Sequence, residues 1–229
     1  MLVLGIDSTS LAATAAVVCD GVLLCEYTQN QKKTHSIKML PMIESMLKDL
    51  EIELSDIDVF ACGIGPGSFT GVRIGVATMR GFCDALKKPA VAVTSLCALY
   101  ENVRFFDGVV IPLVFARENE CFVAAYEKGE EILSPTVMTI DEIIEFATGK
   151  QCIFVGDGAE INRDKLSQVA GASFAEGRHN MISGGAIAQI GYKKALAGDV
   201  GDSNALAPLY LRKSQAEREY DEKHKMEEK

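Results

Sequence analysis

Gly65-Pro66-Gly67-Ser68-Phe69-Thr70-Gly71-Val72-Arg73-Ile74-Gly75 lies between an apolar run, residues 57–64, and a long helical pattern, residues 70–86. The segment therefore reads as strand, glycine turn, helix. Gly65 and Gly67 permit positive φ or a close backbone approach. Pro66 fixes its own φ and removes a donor. Ser68 or Thr70 can cap the new helix by accepting from its free N–H groups. Gly71 and Gly75 fall one turn apart on one face, which suits tight packing. A phosphate loop of the Walker type needs Gly-Lys-Ser/Thr after its glycines, and Val72 follows Gly71 here. A dinucleotide loop needs G-x-G-x-x-G, and the spacing of Gly65, Gly67 and Gly71 is one residue too long. An anion site at the helix N-terminus and a purely structural turn both stay open from spacing alone.

The chain has 229 residues, 48% hydrophobic and 24% charged, enough for a sizeable core in one or two domains. Its net charge of −9 disfavours direct, tight binding to a phosphate backbone. The seven cysteines are scattered, with no C-x-x-C pair, which speaks against a disulfide framework or a zinc cluster. The opening apolar run, 1–6, is too short for a signal peptide or membrane span, so a reducing cytoplasm is expected.

In chain order, strands are expected over 2–6, 12–18 and 22–27, with Asp20-Gly21 as a hairpin turn. A helix over 34–50 follows, then the strand, the glycine turn and the helix 70–86. Another strand, 90–93, and a short helix from Ser95 close the first half. The second half repeats the pattern. Strands 109–115, 121–126 and 130–133 have Lys128-Gly129 as a turn. A helix over 139–147, a strand 152–155 ending at Gly156-Asp157-Gly158, and helices to about 170 and over 183–197 complete it. This duplication argues for an α/β fold with a mixed sheet in each of two lobes, 1–104 and 105–212. A highly charged segment, 213–229, has little to bury and reads as a solvated or disordered tail.

Few side chains suggest chemistry by themselves. Asp7 ends a strand beside Ser8, Thr9 and Ser10, a suitable place for a Mg²⁺-bound phosphate or for a turn cap. His35 is followed one turn later by Met39, so it has no second metal ligand, and His179 and His224 have no nearby partners in sequence. No local motif marks any cysteine as a nucleophile.

The glycine motif resembles the hallmark of the TsaB (YeaZ) family, subunits of the bacterial tRNA threonylcarbamoyladenosine machinery. Gly5-Ile6-Asp7-Ser8-Thr9, His35-Ser36 with Leu40-Pro41, Ala116-Arg117, Gly156-Asp157-Gly158 and Leu209-Tyr210-Leu211-Arg212 add to the resemblance, which spans essentially the whole chain. It implies the two-lobed fold of actin-like ATPases, Hsp70 and sugar kinases, a ribonuclease H-like α/β architecture. In such folds a polar turn after the first strand, like Asp7 to Ser10, approaches the nucleotide phosphates, and a glycine turn in the second lobe, like Gly156-Asp157-Gly158, approaches the adenosine. Asp7, Ser8, Thr9, Gly65, Gly67 and Ser68 are candidate vestigial nucleotide contacts. The catalytic paralogue, TsaD, holds a metal with two histidines at positions matching Ser95 and Leu99. A hydroxyl and an isobutyl group cannot replace them, so neither a metal nor another cofactor is expected. Val114 and Phe115 also depart from the family's acidic residue before Ala116-Arg117. The resemblance implies a non-catalytic subunit that binds TsaD and the ATPase TsaE, forms homodimers when alone, and meets tRNA only through the complex. The alternative is an independent kinase or ATPase of the same superfamily. A cysteine peptidase is a third class.

Helical geometry supports a scaffold. At about 100° per residue, Met42, Met46, Met39, Leu50, Ile43, Leu47 and Leu40 cover roughly 160° of the first long helix, where a lobe's own sheet needs about 100°. The methionine edge, Met39, Met42, Ile43 and Met46, is the expected partner face. Pro41 should kink this helix. On the second helix, Ile74, Ala77, Thr78, Gly81 and Ala85 form the matching small-residue face.

Overall fold

A computed structural model describes residues 1–31 and 35–212. Thr34, the tail 213–229 and its His224 lie outside the described residues.

The first lobe contains β1 (Leu2–Asp7), β2 (Ala12–Cys19), β3 (Val22–Asn30), α1 (His35–Asp49), β4 (Val59–Gly63), α2 (Phe69–Leu86), β5 (Ala90–Val93) and α3 (Ser95–Asn102). The second contains β6 (Val109–Arg117), β7 (Glu120–Glu127), β8 (Glu130–Thr139), α4 (Ile140–Ala147), β9 (Cys152–Val155), α5 (Asp157–Ile161), α6 (Arg163–Leu166) and β10 (Ala172–Phe174). The helix α7 (Gly184–Leu196) follows. Each sheet has five strands, in the orders β3-β2-β1-β4-β5 and β8-β7-β6-β9-β10. In both, the first three strands form an antiparallel meander and the last two join in parallel after helical crossovers. This is the two-lobed, mixed-sheet α/β fold expected from the repeated pattern.

Local chemistry explains the boundaries. Asp20 and Gly21, and Lys128 and Gly129, take positive φ at the two hairpin turns, as their side chains tolerate. Ser68 Oγ accepts from Gly71 N–H at 3.2 Å and caps α2. Thr139 and Glu142 form a capping box on α4. The helix α1 runs unbroken through Pro41. Two elements differ from the sequence reading. The stretch after β9 holds two short helices rather than one, and the three-residue strand β10 was not anticipated.

Each lobe has its own core, Leu4, Phe60 and Met79 being central in the first and Ile111, Phe154 and Ile143 in the second. A third apolar cluster joins the lobes, with Val3 and Val91 from one sheet, Val110 and Val155 from the other, and Leu96, Leu99 and Ile187 from α3 and α7. The helix α7 packs against the first sheet although it follows the second. The chain then returns as a strap over 201–212 that includes a 3-10 turn at Ser203–Ala205. Ala90 and Gly201 exchange backbone hydrogen bonds of 2.8 and 3.0 Å, Leu206 is fully buried in the first core, and Leu209 N–H donates to Ile64 O at 2.8 Å.

Candidate functional site

The glycine turn packs against the turn that leaves β1. Ser68 N–H donates to Thr9 O at 2.7 Å, and Ser8 Oγ donates to Gly71 O at 2.8 Å. A Cβ on Gly67 would lie 2.3 Å from Thr9 O, and one on Gly71 would lie 1.9 Å from Ser8 O. No real Cβ tolerates such distances, so these glycines are required by a backbone-to-backbone approach. Ser95 N–H reaches Gly65 O at 2.8 Å and ties α3 to the same turn.

Asp7, Ser8 and Thr9 lie beneath this contact, all buried. Asp7 Oδ1 accepts from Thr9 N–H at 2.9 Å, and Thr9 Oγ1 lies within 3.1 Å of both carboxylate oxygens. Thr9 Oγ1 and Ser95 Oγ are 2.9 Å apart. Burial pushes the Asp7 carboxyl up to about 6, against the opposing effect of the hydrogen bonds from Thr9. The six candidate vestigial nucleotide contacts Asp7, Ser8, Thr9, Gly65, Gly67 and Ser68 come together here. Ser68 alone of the six is exposed, Gly67 is half-buried against Thr9, and the others are enclosed by protein.

The second-lobe turn is closed in a related way. Gly156 N–H donates to Asn180 Oδ1 at 2.8 Å, and Asn180 Nδ2 donates to Glu160 Oε1 and Ala175 O, each at 2.9 Å. Phe115 N–H donates to Asp157 Oδ1 at 2.9 Å, and burial raises the Asp157 carboxyl. Asn180 was missed in the sequence, where it is a single amide in a loop. Between the two turns a cavity of about 160 Å³ remains, lined in part by Ser10, Asn30, Leu99, Asp157 and Asn180. Ligand clefts occupy about 300–1,000 Å³. Leu99 is buried in the inter-lobe cluster, one helical turn from Ser95. The hydroxyl and isobutyl groups at these positions are thus engaged with Thr9 and with the core.

The helical surface also needs correction. Met39, Met42, Ile43 and Met46 are 1%, 3%, 2% and 0% exposed and belong to the first lobe's core. The helix α1 lies on β2 and β3 with its methionine side inward. Its outward edge carries Ile37, 73% exposed, and Leu40, 52% exposed. On α2, Ala77, Gly81 and Ala85 are exposed and Ile74 and Thr78 half-buried. Leu40, Leu47, Ile52, Leu54 and Phe82 line a groove of about 650 Å³ between α1, α2 and the following turn, with Glu44, Glu51 and Glu53 on its rim.

Burial pushes up the thiols of Cys25, Cys62, Cys83, Cys97, Cys121 and Cys152. An activated cysteine nucleophile needs the opposite shift. The described residues contain no group of three or more His, Cys, Asp or Glu side chains arranged to hold a metal. No helix among them is long and apolar enough to cross a membrane.

The two mixed five-stranded sheets with their flanking helices define a two-lobed fold of the actin-like ATPase and sugar-kinase type. The ROK hexokinase of Thermus thermophilus superposes with a TM-score of 0.50 over 86% of this chain and all of that one, at 11% identity. YeaZ from Pseudomonas aeruginosa superposes at 0.78 over 92% of this chain and 99% of that one, at 24% identity. The family model described as TsaD, tRNA N6-adenosine threonylcarbamoyltransferase, matches residues 22–220. The tRNA threonylcarbamoyladenosine biosynthesis protein TsaB of Bacillus subtilis is 29% identical over 98% of this chain and the whole of that protein. The chain belongs to the TsaB (YeaZ) family, within this wider group of TsaD-like proteins.

Proposed function

We propose that this chain is the non-catalytic subunit of tRNA threonylcarbamoyladenosine biosynthesis, a scaffold that binds and stabilises the catalytic TsaD paralogue. The observation that carries this reading is the narrow cleft. The buried Asp7–Thr9–Ser95 network and its contact with the glycine turn leave a cavity of about 160 Å³ between the two turns, smaller than a typical ligand cleft. The apolar cluster between the lobes also opposes the hinge motion that a kinase of this fold uses.

The partner surface is the outward side of the helix pair. Ile37 and Leu40 of α1 and the row Ala77, Gly81, Ala85 of α2, with Ile74 and Thr78 half-buried beside it, are the exposed apolar and small residues it offers. Two such helices from each of two subunits suffice for a four-helix bundle. The buried methionines support this surface from behind. The same surface serves the homodimer when the chain is alone. TsaE docks on the joint surface, and with a net charge of −9 the chain meets tRNA only through its partners. The assembly is cytoplasmic.

Calorimetric titration with TsaD tests the proposal, alongside an assay with labelled ATP. Saturable binding to TsaD, with no ATP turnover by the chain alone, is expected. Turnover by the isolated chain would instead support the independent kinase or ATPase.

A further inference from the structure

The first sheet has one edge that is treated differently from the other sheet edges. On its far side, β5 is closed by the Ala90–Gly201 hydrogen bonds. In the second sheet, β10 has three residues, and β8 carries Pro135, Glu130, Glu131 and two register shifts. Short strands, proline, charge and bulges are the usual means of blocking edge-to-edge pairing. The edge strand β3 is nine residues long, Val22-Leu23-Leu24-Cys25-Glu26-Tyr27-Thr28-Gln29-Asn30, without proline, lysine or arginine. A register shift sets off Leu24, after which Cys25–Asn30 run in unbroken register against β2. No hydrogen bond closes the outer side of this stretch among the described residues.

A groove of about 510 Å³ lies beside it. Leu23, Glu26 and Thr28 of β3 form one side, and Asn102, Arg178, Met181 and Ile182 the other. That far wall is held in place, because Asn102 Nδ2 donates to His179 O at 3.0 Å and Met181 O at 2.8 Å. Both carboxylates of the groove are already engaged. Glu26 accepts from Ser183 Oγ at 2.8 Å and Gly185 N–H at 3.2 Å. Glu101 pairs with Lys193 at 2.6 Å and Arg104 at 3.4 Å. Arg178 is exposed and its guanidinium has no partner among the described residues. Glu26 meets only neutral donors, but Lys193, Arg104 and Arg178 outnumber Glu26 and Glu101, so the charge balance in and around the groove is positive although the whole chain is acidic.

We propose that β3 and this groove dock an extended, acidic segment of a partner protein. The segment pairs with Cys25–Asn30 as a sixth strand of the first sheet. Alternate side chains enter the groove, an apolar one against Leu23 and Ile182 and a carboxylate on Arg178. Main-chain hydrogen bonds supply affinity in this mode, and the alternating pockets supply selectivity. The site is independent of the helical surface on α1 and α2.

The test uses the full chain and a pool of acetylated heptapeptides that alternate valine or leucine with threonine and carry one glutamate. Members of the pool should bind with submillimolar Kd and slow amide exchange across Cys25–Asn30. Methylating alternate peptide amides should weaken binding at least tenfold, and Arg178→Glu should do the same while circular dichroism stays unchanged. Absence of binding at millimolar peptide overturns the proposal. So does equal binding of the N-methylated peptides or of free glutarate, which would make the groove a small-molecule site. Protection of Cys25–Asn30 that rises with protein concentration alone would assign the edge to a second copy and also overturn it.

Discussion

The two lobes share a strand order but differ in their helices. The first sheet is covered by α1 and α2, of 15 and 18 residues, and by α7, of 13. The second is covered by α3, α4 and α5, of 8, 8 and 5 residues, with the four-residue α6 packed behind α4 and α5. The turn after the fourth strand also behaves differently. In the first lobe, backbone meets backbone at Gly67 and Gly71. In the second, backbone also meets backbone, a Cβ on Gly156 falling 2.2 Å from Leu113 O, and a side chain is added to the contact, Asp157 Oδ1 accepting from Phe115 N–H. The same architecture thus serves two ends. One lobe presents long helices outward, and the other is a smaller copy whose turn carries an extra side-chain clasp.

The largest test of this contrast is Met46→Lys. The side chain is fully buried in the first core, so the change removes apolar packing and buries a charge, costing about 4 kcal/mol or more. Urea unfolding should show loss of the fold, not merely of association. Next come matched glycine changes. Gly71→Ala meets a carbonyl oxygen at 1.9 Å and should cost about 3 kcal/mol. Gly158→Ala meets the Cys121 sulfur at 2.9 Å and the Leu113 backbone carbon at 3.1 Å, a looser fit, and should cost about 1 kcal/mol. Equal losses for the two in chemical denaturation would show that the tighter approach at Gly71 carries no extra weight.

The buried carboxylate gives a pH signature. The folded Asp7 titrates at about 6 and the unfolded one near the ordinary value of 3.8, so the folded form holds the proton more tightly. Its contribution is complete below the unfolded value and is lost as pH rises through 6. A shift of this size corresponds to about 2–3 kcal/mol. Asp7→Asn should flatten that part of the stability profile between pH 4 and 7, as read by urea midpoints. The smallest effect belongs to the outer edge of α1. Leu40→Lys should leave the fold intact and weaken association with TsaD at least tenfold, about 1.4 kcal/mol, by calorimetry.

Much of this was legible in the sequence because periodicity and turn chemistry agree. Asp20-Gly21, Lys128-Gly129 and the glycine motif each mark a boundary found in the fold. The rotation of α1 was not legible. Its apolar arc contains methionine on one edge and leucine on the other, and hydrophobicity does not say which edge meets a sheet. The sheet took the methionines, leaving Leu40 and Ile37 outward. The candidate site was legible in its residues but not in its state. Asp7 to Thr9 and Gly65 to Ser68 do meet, yet only three dimensions reveal that they fill each other's space. Asn180 and β10 were beyond reach, since one amide and three residues carry no period.

The strap at 201–212 has a consequence for biosynthesis. It stacks Tyr210 on Phe69 with ring centroids 5.0 Å apart, and Tyr210 OH accepts from Arg73 Nε at 2.9 Å. Arg80 Nε donates to Leu206 O at 3.1 Å on the same helix. All of these partners leave the ribosome long before the strap does. The lobe translated first is therefore the lobe completed last, with the edge of β5 and one flank of α2 open during elongation of the second half. A nascent chain stalled before Gly201 would expose its amino-terminal half to proteases and chaperones, even with every residue of that half already made.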